Sequence, residues 1–148
     1  MTTYISTNIG DLYISGNDSV ITEITLDKKE ITETTPLLEE AKRQLSEYFK
    51  GLRKNFDLPL DLSKLTSFSK KVLEQCLLIP YGETSSYGEI ASLIGNPKSS
   101  RAVGNALHNN PIMIVIPCHR VLAKHSKGGF ACGLEIKDKL LNLESEQK

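Results

Sequence analysis

Tryptophan is missing from this 148-residue chain, and cysteine and histidine occur only three times each. Neither Cys nor His is found among residues 1–75, which excludes a structural zinc site of the usual ligands from the first half. Cys-x-x-Cys and His-Glu-x-x-His are both absent, so the familiar redox and metalloprotease motifs are out. No apolar run approaches the roughly eighteen residues of a membrane helix. The start, "MTTYISTNIGDLYISG", lacks a basic segment followed by an apolar one, so no secretory signal is expected. Three thiols cannot all pair with one another, and without an export signal they read as free cysteines of a reducing compartment. The expected location is the cytoplasm, at the nucleoid, or the nucleus of a eukaryotic source. Net charge is lacking too: 18 basic and 18 acidic side chains cancel, which removes strong global attraction to nucleic acid.

What is present is unevenly placed. Residues 97–127 hold five Lys or Arg and no Asp or Glu, so a local basic face survives the overall neutrality. The length suits one compact domain or two small lobes. "TTYISTNIGDLYISGNDSVITEITL" alternates apolar and polar residues over three runs, broken at Ile9-Gly10-Asp11 and Gly16-Asn17-Asp18; it predicts three strands. "PLLEEAKRQLSEYFKG" spaces Leu37, Leu38, Ala41, Leu45, Tyr48 and Phe49 helically, with Pro36 near its start and Gly51 past its end. Pro59 then predicts an extended connector, and the lobe boundary falls at 58–65. The expected domains are a sheet-and-helix lobe over 1–62, without a zinc site, and a second domain over 63–148.

From Ser67 the pattern turns helical. Phe68, Val72, Leu73, Cys76 and Leu77 share a stripe that ends at "PYG". A short helix is expected over 85–95 with Ile90, Leu93 and Ile94 inward, and another over 99–110 with Ser99 or Ser100 as N-cap. "PIMIVI" (111–116) reads as a short strand or extended segment, and "LEIKDKLLNLE" (134–144) as an amphipathic helix. The fold class is α/β (α+β): a small N-terminal β-sheet with a helix, then a mostly helical lobe. Two short helices around "NPK" fit a helix-turn-helix. The small outer residues Ser99, Ser100, Ala102 and Gly104 suit close approach to a nucleic-acid groove, and equally to another helix.

In "IVIPCHRVLAKHSKGGFACGLE" an apolar run stops at Pro117 and presents Cys118, His119 and Arg120 in succession. A metal corner, a catalytic thiol and a plain strand end all remain open here. An unperturbed thiol is only about 3% thiolate at pH 7, and an adjacent base or cation raises that fraction. Neighbours in an extended segment point apart, so contact between Cys118 and His119 needs a bridging water or a bend after Pro117. Glu144 or Glu135 could orient the imidazole. Cys76, on its apolar stripe, and Cys132, beside Phe130 and Ala131, read as packing. His108 and His125 read as solvated.

These residues together resemble a known family. "IPCHRV" (116–121) resembles the active-site motif of the O6-alkylguanine-DNA alkyltransferases, also called methylated-DNA–protein-cysteine methyltransferases. "IPYGETSSYGEIA" (79–91), "GNPKSSRAVGNALHNNPI" (95–112) and "GLEIKDKLLNLE" (133–144) resemble it in the same order; the first 60 residues do so only in outline. The resemblance implies direct-reversal DNA repair by a single-turnover methyltransferase. The alkyl group of O6-alkylguanine, with O4-alkylthymine left open, would pass irreversibly to Cys118. His119 would act as base through a water, held by Glu144. Tyr87 would protonate the leaving guanine, and Asn110 would brace the helix-turn-helix against the site. Arg101 would fill the gap left by a flipped nucleotide. Ser99, Ser100, Ala102 and Gly104 would line the minor-groove face of double-stranded DNA. Val121, Phe130, Cys132 and Gly133 would wall the base pocket. A monomer is implied, with no cofactor, metal or membrane partner.

The chain departs from the family pattern in three places. Phe130 stands where Tyr is usual, Cys132 replaces the first Gly of a Gly-Gly pair, and the preceding loop is one residue shorter than in many relatives. Three rival readings make different demands. Alkyltransferase-like proteins that bind without reacting carry Trp at the acceptor position, and this chain has none. A helix-turn-helix regulator with a structural Cys forms no adduct. A cysteine hydrolase needs an acyl substrate and turnover.

Overall fold

The computed structural model describes residues 1–123 and 133–146. The chain divides into two compact units, Met1–Ser63 with Pro111–Met113, and Lys64–Asn110 with Ile114–Lys148. The sequence placed all of 111–113 in the second domain. They group with the first because Ile112 forms a parallel bridge with Ile24. The Ile24 N–H donates to the Pro111 carbonyl at 2.9 Å, and the Met113 N–H donates to the Ile24 carbonyl at 3.1 Å.

The first unit is an antiparallel sheet of β1 (Thr2–Thr7), β2 (Gly10–Gly16) and β3 (Ile21–Thr25), in that order. Ile14 sits opposite Ile24 and Tyr13 opposite Tyr4. Leu12, Ile14, Ile21 and Ile24 are buried, and each such side chain contributes about 1.5–3 kcal/mol. Tyr13 is buried as well, stacked on Tyr4 with ring centroids 5.9 Å apart, so β2 covers both of its faces. Helix α1 (Pro36–Phe49) packs on β1 and β2 through Leu38, Ala41, Leu45 and Tyr48. The Thr35 hydroxyl caps it by accepting from the Leu38 N–H, and Pro36 occupies the first turn, where no intrahelical donor is needed. Buried Gln44 exchanges two hydrogen bonds with the Asp57 backbone, at 2.9 and 3.1 Å, tying the connector to the helix. Leu60 then bridges Ile21, so the stretch after Pro59 runs extended along the sheet edge.

The second unit begins with α2 (Ser67–Leu77), which buries Val72, Leu73 and Cys76. Leu77, placed on the same stripe by spacing, is exposed. A two-residue strand, β4 (Ser85–Ser86), pairs in parallel with β5 (Val121–Leu122). It occupies what the sequence read as the first turn of a helix. Ser86 stays extended so that its hydroxyl can accept from the Glu89 N–H and cap α3 (Tyr87–Leu93). Leu93 is 65% exposed, against the expectation that it points inward with Ile90. Helix α4 (Ser100–His108) follows a turn, and α5 (Leu134–Glu146) closes the unit. Ser99 is the N-cap residue of α4 but supplies no cap, because its hydroxyl donates back to the Asn96 carbonyl. "PIMIVI" is not one strand: Ile114 adopts φ 72° and lies in a turn with Val115. No helix among the described residues is long and apolar enough to cross a membrane.

Candidate active site

A short turn makes the site. Cys118–Arg120 form one turn of 3-10 helix after Pro117, closed by the Arg120 N–H donating to the Pro117 carbonyl at 2.9 Å. A bend after Pro117 is one of the two ways the sequence left open for Cys118 and His119 to act together, the other being a bridging water. It leaves Cys118 7% exposed, Arg120 6% and His119 fully buried. Ile114, a β-branched residue in the left-handed region, stores backbone strain of about 1–3 kcal/mol just upstream.

Glu144 of α5 is the hub. The His119 Nε2–H donates to its Oε2 at 2.6 Å; Arg120 donates to Oε1 through Nε at 2.8 Å and to Oε2 through Nη2 at 3.1 Å. The Gly82 N–H adds a longer contact at 3.3 Å, and Arg120 Nη1 donates to the Ile79 carbonyl at 2.7 Å. Burial works against the charged carboxylate, but the hydrogen bonds from His119 and Arg120 overcome it and bring Glu144 to about 2. Burial lowers His119, only partly opposed by Glu144, so the imidazole is neutral. With Nε2–H committed to Glu144, Nδ1 carries the lone pair. That atom is buried and has no hydrogen-bond partner among the described residues. Glu135, the other carboxylate weighed, is 87% exposed at its side chain and takes no part.

Both shifts make the fold acid-sensitive. Glu144 contributes stability that is complete above its ordinary value of 4.5 and is lost as pH falls towards about 2. His119 is also depressed, from 6.5, so its contribution is complete above that pH and declines below it, where the unfolded chain takes up the proton first. The urea midpoint should therefore hold above pH 7 and fall steadily to pH 3, with Glu144 accounting for a loss of about 3 kcal/mol at most. A flat profile over that range would contradict this ionisation pattern.

Asn110, just past the end of α4, faces the turn. Its Nδ2 lies 2.9 Å from the Ile116 carbonyl and 3.2 Å from Cys118 Sγ. Tyr87, half-buried, opens α3 and lines an open groove of about 1050 Å³ with Gly88, Ser100, Leu122 and Ala123 among its walls. Cys118 is not among the groove's described walls, and neither is Val121, which is fully buried. Leu122 and Ala123, the residues that follow Val121, do line this groove. On α4, Val103, Ala106 and Leu107 face the core, while Arg101 and Ala102 are exposed. A Cβ on Gly104 would meet nothing within 4 Å, so this face is open; a Cβ on Gly88 would lie 3.9 Å from Ser100 Oγ, so Ser100 is where α4 approaches α3. Gly133 is exposed with φ 97°, while Phe130 and Cys132 lie outside the described residues. Cys76 is fully buried, and burial pushes its thiol well up. The sequence missed Lys137, a fully buried lysine whose Nζ donates to the Val121 carbonyl at 2.7 Å. A signal existed: Lys137, Leu140 and Glu144 share one helix face at i, i+3 and i+7, and all three are buried.

Residues 67–146 match the family described as 6-O-methylguanine DNA methyltransferase, DNA binding domain, and residues 1–62 match its ribonuclease-like domain. The chain belongs to the 6-O-methylguanine DNA methyltransferase family. It is 45% identical over 145 residues to the methylated-DNA–protein-cysteine methyltransferase of Methanosarcina acetivorans, covering 92% of each chain. Its fold matches the O6-methylguanine methyltransferase of Mycobacterium tuberculosis with a TM-score of 0.88 at 40% identity, covering 100% of this chain and 95% of that one. The structure of the Mycobacterium tuberculosis protein OGT in complex with DNA matches at 0.88 and 41% identity, over 97% and 92%. The small sheet with its helices thus has the architecture of this methyltransferase family.

Proposed function

We propose that this protein repairs alkylated DNA by direct reversal, moving the alkyl group, chiefly methyl, from guanine O6 to its own Cys118, once per molecule. The observation that carries this is the buried relay: Asn110 on one side of the sulfur, and neutral His119 on ionised Glu144 in the same turn. The target carbon lies inside a stacked duplex, so the nucleotide must swing out, at a cost of a few kcal/mol. Arg101, exposed in the first turn of α4, fills the gap from the minor-groove side. The open outer face around Ala102 and Gly104 lets the helix come close to the backbone, and Ser99 and Ser100 flank its start. Tyr87 and the groove beside α3 receive the base.

Chemistry follows from the charges. The Cys118 proton passes through a water to His119 Nδ1, and the ionised Glu144 carboxylate stabilises the imidazolium that forms. Asn110 Nδ2–H donates to the sulfur and orients it. The thiolate attacks the alkyl carbon; the S–C bond forms as the C–O bond breaks, and the electron pair leaves on guanine O6. A proton from the Tyr87 hydroxyl neutralises the departing base. The product is a thioether, which no group in the site can hydrolyse, so the protein is consumed. Neither a metal nor a cofactor has a part in this scheme. The protein acts as a monomer on DNA, at the nucleoid in the cytoplasm or in the nucleus of a eukaryotic source.

Titrating a duplex that contains O6-methylguanine against the protein should end at one lesion removed per molecule, with no further loss on longer incubation. Continued turnover past that point would overturn the stoichiometric reading.

A further inference from the structure

The outer face of α4 carries a side chain that the scheme above does not use. The helix turns about 100° per residue, so with Arg101 at the origin the buried Ala106, Val103 and Leu107 fall at about 140°, 200° and 240°. The rest of the circle is the outer arc. Gly104 and Ala102 lie at its two edges, at about 300° and 100°, while Arg101 and Asn105 share its centre, about 40° apart. Both are exposed, and Asn105 stands one turn further on, about 6 Å along the axis. A docking that drives Arg101 into a duplex therefore carries Asn105 in with it.

Asn105 is free to act there. Among the described residues no hydrogen bond engages its amide; its backbone carbonyl accepts from Asn109 Nδ2 at 3.0 Å, which occupies the neighbouring amide instead. Ala102 is small, and a Cβ on Gly104 would meet nothing within 4 Å. The helix backbone can thus approach closely enough for a side chain as short as asparagine to reach the floor of a groove. Arg101 is committed to the gap left by the flipped nucleotide. Asn105 is then the side chain at the centre of the face that meets an intact base pair.

An amide places donors and an acceptor side by side. In the minor groove an A·T pair offers only acceptors, whereas a G·C pair adds the guanine N2 amino donor. Asn105 can satisfy both of its groups on guanine, Nδ2–H donating to N3 and Oδ1 accepting from the amino group; at A·T its oxygen goes unpaired. We infer that Asn105 is a specificity-determining residue, which favours alkyl transfer where a G·C pair stands near the lesion. The offset of about 6 Å from Arg101 places that pair within about two base steps of the flipped nucleotide, on one side only. This rests on α4 entering the minor groove with Arg101 in the gap.

The test uses the whole chain and O6-methylguanine duplexes with either G·C or hypoxanthine·C at each of the two positions on either side of the lesion. Hypoxanthine lacks only the N2 amino group of guanine, and so presents the A·T pattern in the minor groove. Methyl transfer is timed in a single turnover, at subsaturating protein, for wild type and Asn105→Ala. Alanine suits an exposed helix position, so the fold is not at risk. At one position, the rate ratio of G·C to hypoxanthine·C should be at least about fivefold higher in wild type than in Asn105→Ala, the low end for a two-bond contact to a base. Comparing the two proteins cancels the effect of the neighbouring pair on duplex opening, which both share. The same ratio in both proteins at all four positions overturns the inference. Failure of wild type to accept a methyl group from any of these duplexes would instead overturn Cys118 as the acceptor.

Discussion

Cys118→Ser should accept no methyl group, its transfer rate falling at least about a thousandfold, while its affinity for duplex DNA stays within about twofold of wild type. A hydroxyl remains protonated where a thiol ionises, and neutral His119 is too weak a base to change that. The exchange is conservative for folding, since the side chain is nearly isosteric, only 7% exposed, and the Asn110 amide can donate to oxygen as to sulfur. Loss of transfer without loss of binding separates chemistry from docking. A regulator with a structural cysteine predicts no adduct in either protein. Cys76 cannot substitute as acceptor, because it is fully buried on α2 with its thiol pushed up by burial. Substantial transfer in the Ser protein, read as methyl lost from the duplex, would move the acceptor elsewhere.

Glu144→Gln should be the most damaging single change to the site that leaves the sulfur in place. One carboxylate accepts from His119 and twice from Arg120, all three groups being buried. Removing its charge leaves the guanidinium uncompensated in a desolvated place, which costs about 3–5 kcal/mol. The urea midpoint at neutral pH should drop accordingly, and the part of the acid sensitivity owed to Glu144 should disappear. Transfer should slow about a hundredfold, because the imidazolium formed during proton removal loses its counter-charge. Unchanged stability together with unchanged transfer would mean that the carboxylate is not the hub its geometry indicates.

Much of this architecture could be read from residue order, and the failures have a common cause. The three strands and α1 followed from alternation, turn residues and a 3.6-residue stripe, which are local signals. The residues alone left Glu144 and Glu135 both open as partners for His119; only the family resemblance named Glu144, which accepts from His119 at 2.6 Å, while Glu135 is exposed. What escaped was set by contacts distant in sequence. Ser85–Ser86 became a strand because Val121–Leu122 pairs with it, and Pro111–Met113 joined the first unit because Ile24 does. Ile114 turns the chain in a conformation that no β-branched residue favours, so propensity pointed the wrong way. Arg120 read as a cation for the thiol, whereas it serves the carboxylate. Lys137 carries no local mark of burial beyond its alignment with Leu140 and Glu144 on one face of α5.

The most direct measurement is the intact mass of the reduced, folded protein after incubation with a duplex containing O6-methylguanine, followed by peptide mapping. The account predicts a gain of one methylene per molecule, located on the peptide that carries Cys118, with unmodified duplex giving none. No gain in mass, or a methyl group located on any other residue, would contradict it.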